Sequence, residues 1–493
     1  MQVKNLTVKS FCFPPIGAAV FQKSDPKVSA RVSVVWTDLQ GLNFPVIDKS
    51  LGLDQADSLI MQSKYLRRAV FTAFTFLTVS LCHAQMTVAP DRSDGVYRVG
   101  DTVHWTITWK GSSNPAAARY TLKSGGLKDV GQGGLDFTNN AAQIETRFDA
   151  PGTMLVDVEW PPENRANRAV GGAVAAPDQI TPAAPAPKDF DAFWKDKVKE
   201  LKKIPINPIL EKEEIKTLGV SYWKITMDNI RGTHIEGQIA RPEAGEKFPA
   251  LLIVQWAGVY GLQKQWVTDR ARDGWLALDI EAHDLPIDEP SNFYKEQFDG
   301  PLKNYWSIGN DDKDTSYYLR MYLSCYRAIE YLKSRPDWNG KTLAVMGDSQ
   351  GGMQTLMIAG LHPKDITAAL ALVPAGGDML APEIGRAPGW PQWYFNTEGR
   401  DPAKVREASR YYDIANFARH IKCPVLVGLG LRDETCPPSS VLAAVSQITS
   451  PKEVVILPKS GHQDEHGTQS FYNQRRYSAW LPALKNGKPP PVK

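Results

Sequence analysis

The run Gly347-Asp348-Ser349-Gln350-Gly351-Gly352 is the strongest chemical signal in the chain. It matches Gly-x-Ser-x-Gly, in which a serine sits on a sharp strand-to-helix turn and its tiny neighbours keep that turn free of clashes. A serine hydroxyl is a poor nucleophile until a base takes its proton. In the chain order serine, acid, histidine, the expected partners are Asp433 and His462, with Glu434 and His466 as nearby competitors. Such a set carries acyl transfer: His462 deprotonates Ser349, the serine attacks an ester carbonyl, and water activated by the same histidine frees the acid. The oxyanion formed on the way needs preorganised donors. One is expected from the backbone N–H of Gln350, where the helix dipole also favours negative charge. The other is expected from the Val259 amide in the loop Gln255-Trp256-Ala257-Gly258-Val259-Tyr260-Gly261. This chemistry requires no cofactor, and no Cys/His spacing suggests zinc or another metal.

These residues need elements that bring them to one edge. Apolar runs at Ala250–Val254, Trp275–Ile280, Thr342–Met346, Ala368–Val373, Val425–Gly428 and Val454–Leu457 read as buried strands. Helical stretches at Ser316–Ser334, Gln350–Leu361, Ser439–Thr449 and Gln469–Leu484 follow strands, and Asp189–Lys203 opens the region. Strands alternating with helices imply an α/β domain with a mostly parallel sheet covered on both faces. Trp223–Met227 and His234–Arg241 read as an antiparallel hairpin at its start. Ser349, Asp433 and His462 each lie just past a strand, at the C-terminal edge of the sheet. Upstream, Val96–Val99, Val103–Trp109, Gln143–Phe148 and Met154–Trp160 alternate in the manner of a small all-β, immunoglobulin-like sandwich without paired cysteines. The expected organisation is an N-terminal extension at 1–60, a leader at 61–84, the β domain at 85–160, an Ala/Pro-rich linker or strap at 161–187, and the α/β domain at 188–493.

The leader is read from Lys64, Arg67 and Arg68, the apolar run Ala69–Leu81, and Cys82-His83-Ala84, with a cut expected after Ala84. Met61 directly precedes the basic stretch, so the natural start is expected there. The reading implies a secreted or periplasmic protein with no stable membrane span once the leader is removed. A net charge of +3 gives no reason to expect nucleic acid as a partner. Three cysteines follow the leader, Cys325, Cys423 and Cys436, and an odd number cannot pair completely. Fourteen tryptophans are many for 493 residues. Tyr260, Trp306, Trp390, Trp393 and Tyr394 are candidates for lining a sugar-facing pocket, with core or lid packing the competing reading of each.

Several segments together resemble the acetyl xylan esterase/cephalosporin-C deacetylase family. They are Gly347–Gly352, Asp433-Glu434-Thr435-Cys436-Pro437-Pro438-Ser439, Ser460-Gly461-His462, Asp189-Phe190-Asp191-Ala192-Phe193-Trp194 and Val254-Gln255-Trp256-Ala257-Gly258. The resemblance spans roughly residues 188–485. It implies an α/β-hydrolase fold, metal-free hydrolysis of acetyl esters on small sugars, and often a ring-shaped homo-oligomer. The partner it implies is a small-molecule or oligosaccharide ester. Three departures stand out: Glu281-Ala282-His283 where the family usually carries Arg-Gly-Gln, Gln463 in place of a glutamate after the histidine, and the added β domain. Two other functions fit parts of the pattern. A prolyl-oligopeptidase-like serine peptidase shares the order of the three residues, but its usual repeated β-propeller is missing. A non-catalytic carbohydrate-binding or adhesion protein would suit the β domain and the tryptophans, but not the intact serine, acid and histidine.

Overall fold

The computed structural model describes residues 86–111, 115, 117–160 and 167–492. The extension at 1–60 and the leader with its cut after Ala84 lie outside the described residues. Among the described residues, no helix is long and apolar enough to cross a membrane.

Alternation builds the N-terminal domain. In Thr102–Trp109 every second residue points inward, so Val103, Trp105 and Ile107 are buried while their neighbours face out. In chain order the strands are β1 (Met86–Pro90), β2 (Val96–Tyr97), β3 (Thr102–Trp109), β4 (Arg119–Ser124), β5 (Lys128–Gly134), β6 (Ala141–Arg147), β7 (Gly152–Glu159) and β8 (Arg168–Ala175). They form a three-stranded sheet, β1-β3-β6, and a five-stranded one, β2-β8-β7-β4-β5. Trp105, Val88, Val103, Val156 and Val158 belong to one apolar core shared by residues of both sheets. The Trp105 indole donates to Thr146 Oγ1 at 2.9 Å, which satisfies the polar atom of a fully buried ring.

The expected linker at 161–187 needs correction. Residues Arg168–Ala175 are strand β8, paired antiparallel with β7 over its whole length, and therefore belong to the sandwich rather than to a linker. In their sequence, Arg-Ala-Val-Gly-Gly-Ala-Val-Ala, only Val170 and Val174 are usual strand formers, and the two glycines sit where neighbours crowd the backbone. A Cβ on Gly171 would lie 2.6 Å from Val88 Cγ1, and one on Gly172 would lie 2.0 Å from the Leu431 carbonyl oxygen.

The second domain carries nine strands: β9 (Ile209–Glu213), β10 (Val220–Asp228), β11 (His234–Pro242), β12 (Phe248–Val254), β13 (Leu276–Ile280), β14 (Trp338–Asp348), β15 (Ala368–Leu372), β16 (Val425–Gly430) and β17 (Lys452–Leu457). They lie in the order β17-β16-β15-β14-β12-β13-β11-β10-β9. The strands from β12 to β17 pair in parallel, and β9, β10 and β11 are antiparallel additions. Successive residues of the parallel strands feed two cores on opposite faces. Leu252, Val345, Ala369 and Val427 enter one, and Leu251, Ala344, Leu370 and Leu426 the other. Burial on both faces explains why these strands read as unbroken apolar runs. The C-terminal helical stretch is not one regular helix as expected: Ser470–Gln474 and Leu481–Lys485 flank a wider turn at Arg475–Trp480. That turn places Arg475 on Glu453 and Arg476 on Asp348.

Candidate active site

Strand β14 runs into the helix Gln350–Leu361 through Ser349, whose backbone is held at φ +57° and ψ −117°. That conformation is costly for a residue with a Cβ, and strain of this kind concentrates where a side chain must be presented to a ligand. The flanking glycines are required by contact. A Cβ on Gly347 would lie 2.6 Å from the Gly351 backbone, and one on Gly351 would lie 2.3 Å from the Val254 carbonyl. The Ser349 N–H donates to Leu372 O at 2.9 Å, tying the turn to β15.

The loops after β16 and β17 bring the other two residues to the same edge. His462 Nε2 lies 2.9 Å from Ser349 Oγ, and His462 Nδ1 lies 2.8 Å from Asp433 Oδ2. Asp433 is fully buried, and its Oδ1 accepts the backbone N–H groups of Thr435 at 2.9 Å and Cys436 at 2.8 Å. A carboxylate can only accept, so His462 carries its proton on Nδ1 and leaves Nε2 free to accept from the serine. The competitors are placed elsewhere: Glu434 pairs with Arg168 of the sandwich, and His466 is exposed on its own turn.

Behind the serine stands a group that sequence reasoning missed. The Tyr305 hydroxyl accepts from the Gly258 N–H at 3.2 Å and donates to Gln350 Oε1 at 2.7 Å, tying the β12 loop to the start of the nucleophile helix. His283 Nε2 lies 2.8 Å from the Gly258 carbonyl, and its Nδ1 lies 2.6 Å from the Tyr317 hydroxyl. Since a carbonyl can only accept, His283 is protonated on Nε2 and accepts from Tyr317. Burial pushes its pKa down to about 4, so it stays neutral. Gly258 and Val259 thus hang on two buried donors and acceptors next to Gln350. The departure Glu281-Ala282-His283 marks this place in the sequence, but nothing there says that its histidine reaches the β12 loop.

Glu281 itself is fully buried and accepts from the His283 N–H, and burial pushes its pKa up to about 8. A carboxyl raised from about 4.5 to about 8 stabilises the fold most below the lower value. That contribution is lost as pH rises towards the upper one, because the folded chain then holds a proton that the unfolded chain has released. Glu281→Gln is therefore expected to flatten the fall in Tm from about pH 5 to about pH 8. Calorimetric Tm profiles that run parallel for the two proteins would contradict this.

A second missed anchor is Arg476, which is buried, bonded to Asp348 and lying over the Tyr472 and Tyr477 rings at 5.2 and 4.6 Å. Asp348 is the residue before the serine, so this ion pair holds the turn from below. Removing one partner of such a pair leaves the other charge uncompensated. Asp348 is about one-third exposed, and that partial solvation moderates the cost. Arg476→Met is expected to destabilise the protein by about 2–3 kcal/mol in denaturant unfolding. A change below about 0.5 kcal/mol, the usual range for an exposed surface position, would contradict the assignment.

The five aromatic candidates separate. Trp306 and Trp390 are half-buried, with ring centres 5.9 Å apart, and the Trp390 backbone N–H donates to Thr435 O in the acid loop at 2.9 Å. Tyr260 stacks on Trp256 at 5.3 Å and, with Val259, Tyr294 and Phe298, lines a cleft of about 590 Å³. Trp393 must be corrected: it is fully buried, stacked on Tyr318, and its indole N–H donates to Trp306 O at 2.6 Å, so it packs the wall rather than facing a ligand. Tyr394 packs with Phe395 and lies under the Arg406 guanidinium at 5.4 Å.

Cys436 completes the surroundings. Burial, with the Asp433 charge beside it, raises its thiol well above the usual range, so it stays protonated and cannot compete with Ser349 as nucleophile. Ligand atoms of Asp433, Cys436 and His462 lie within 4.8 Å of one another. They do not fit a metal ion: the carboxylate oxygens are taken by His462 and two amides, and the thiol is neutral. Cys325, Cys423 and Cys436 are all free and buried.

A parallel sheet of this order, with a serine on the turn after β14 and an acid and a histidine after later strands, is the α/β-hydrolase fold. The acetyl xylan esterase family matches residues 178–482, well over half of the chain, and the chain belongs to that family. It is a carboxylic ester hydrolase. It is 31% identical over 400 residues to an acetyl esterase of Xylanibacter ruminicola, covering 80% of this chain and 89% of that protein. Among solved structures it resembles an acetyl xylan esterase from a Paenibacillus species (TM-score 0.51, 25% identity, 60% of this chain and 98% of that one). An acetyl xylan esterase from a Thermoanaerobacterium species shares the fold (TM-score 0.51, 22% identity, 60% and 96%).

Proposed function

We propose that this enzyme hydrolyses acetyl esters on saccharides, xylan-derived fragments foremost, with Ser349 as nucleophile, His462 as general base and Asp433 as the orienting acid. The observation that carries the reading is the unbroken chain from Asp433 Oδ2 through His462 to Ser349 Oγ, with contacts of 2.8 and 2.9 Å. His462 takes the Ser349 proton as the oxygen attacks the acetyl carbonyl. The tetrahedral oxyanion is held by the backbone N–H groups of Gln350 and Val259, which Tyr305 and His283 keep in register. Collapse expels the sugar hydroxyl, protonated by His462. Water activated by the same imidazole then releases acetate.

Trp306 and Trp390 supply the apolar faces on which a pyranose ring can stack beside the acid loop. The names of the relatives support acetyl esters as the substrate class. We further read residues 85–493 as the mature chain, exported by the leader at 61–84. The test is acetate release by residues 85–493 from acetylated xylooligosaccharides, beside p-nitrophenyl acetate. Turnover of both is expected. Turnover of the small ester alone would remove xylan fragments as substrate and keep the chemistry.

A further inference from the structure

Asp433 sits on the short loop between β16 and the helix Pro438–Ser446, and the N-terminal sandwich grips that loop before, beside and after the carboxylate. Before it, the sandwich lies on Leu431 so closely that a Cβ on Gly172 of β8 would be 2.0 Å from the Leu431 carbonyl oxygen, and one on Gly95, just ahead of β2, would be 2.5 Å from Leu431 Cδ1. The Arg432 guanidinium donates to the Val88 carbonyl of β1 at 3.3 Å. After it, the turn between β4 and β5 reaches across. Its Gly125 carbonyl accepts from the Ala387 N–H at 2.8 Å and from Ser439 Oγ at 3.4 Å. Next to Asp433 itself, Arg168 of β8 donates to both oxygens of Glu434, at 2.7 and 2.8 Å. Its other edge donates to both oxygens of Asp157 on β7, at 2.6 and 2.5 Å.

The guanidinium is therefore a planar fork with both edges filled, fixed to the sandwich on one side and to the acid loop on the other. Side-chain exposures of 30% for Arg168 and 41% for Glu434 put the second pair at the surface, where an ion pair adds little stability. Its geometric content is larger: it fixes the direction of the residue that follows Asp433, on a loop whose carboxylate must meet His462 within a few tenths of an ångström.

We propose that the sandwich is a positioning element of the active site, and that Arg168 is a positioning residue that acts through Glu434 to hold Asp433 against His462. The proposal rests on the reading of Asp433 as the orienting acid. It gives the added domain a part in the reaction that the family match, which begins at residue 178, does not cover.

The experiment compares Arg168→Ala, Arg168→Lys, Glu434→Gln and the double variant Arg168→Ala/Glu434→Gln, in the full mature chain, by kcat, KM and Tm on p-nitrophenyl acetate. Misplacing a reacting group by a fraction of an ångström to an ångström costs about tenfold to a hundredfold, and each single variant is expected to lose about that much kcat with KM within about twofold. Lysine, a point charge without the fork, is expected to recover part of the loss. The double variant is expected to be no slower than the worse single one, since both remove one link.

Glu434→Gln leaves Arg168 bound to Asp157, so it reads the link even if Arg168→Ala fails to fold. Unchanged kcat in Glu434→Gln, additive losses, or losses equal to the unfolded fraction would overturn the proposal. Asp433→Asn in the same assay separates the two claims. If it is inactive while Glu434→Gln is normal, only the positioning role falls. If it is fully active, the acid assignment falls, and the positioning role with it.

Discussion

Replacing Ser349 by alanine is expected to lower kcat for acetate release by roughly 10⁵- to 10⁶-fold and to leave the fold intact. The loss is this large because, in the proposed mechanism, the Ser349 hydroxyl forms the acyl-enzyme and no other group at the site among the described residues is placed to do so. The Cys436 thiol close by is held protonated by burial and by Asp433. What remains is the rate supplied by the oxyanion donors and by binding alone. Stability is expected to change little, since the Ser349 hydroxyl points at His462 and the turn is shaped by its backbone and by Gly347 and Gly351. A residual rate above about one-hundredth of wild type would contradict the account, because losing one supporting hydrogen bond alone has about that effect.

Asp433→Asn is expected to lower kcat by about 10⁴-fold with KM nearly unchanged. Asp433 Oδ1 accepts two backbone N–H groups while Oδ2 accepts from His462 Nδ1. An asparagine has one carbonyl oxygen, and the two amides of Thr435 and Cys436 claim it. Its NH₂ then faces His462 Nδ1, which must lose its proton to accept. The imidazole carries the proton on Nε2 instead, facing Ser349, and the base is gone. Steady-state kinetics on p-nitrophenyl acetate check this, and a loss under tenfold would mean that Asp433 does not set the tautomer.

How much of this could be read from the residues follows from where each contact comes from. That Ser349, Asp433 and His462 meet is legible because their local sequence carries the signal: tiny neighbours at the serine, and loop positions just past apolar strands. The parallel strands are legible because burial on both faces removes polar residues from them. Strand β8 is not legible, since close approach to Val88 and Leu431 requires glycine at 171 and 172, and glycines set among alanines look like a linker. Strand β9, Ile209–Glu213, is an edge strand exposed along almost its whole length and carries three charged residues in five, so no alternation marks it. For Trp393 the core reading holds, and sequence does not decide it, because a tryptophan in an active-site wall has the same letter whether it faces the ligand or the core. Arg168, His283, Tyr305 and Arg476 act over separations of 25 to 266 residues, which no local pattern records.

In the proposed mechanism Ser349 Oγ is the atom that carries the acyl group. The most direct test is reaction of residues 85–493 with a serine-directed fluorophosphonate, followed by intact mass and peptide mapping. One adduct per chain is expected, on the peptide containing Gly347-Asp348-Ser349-Gln350, formed in step with loss of acetate release and lost in Ser349→Ala. Loss of activity with the adduct on another residue, or full activity in a chain fully labelled at Ser349, would contradict it.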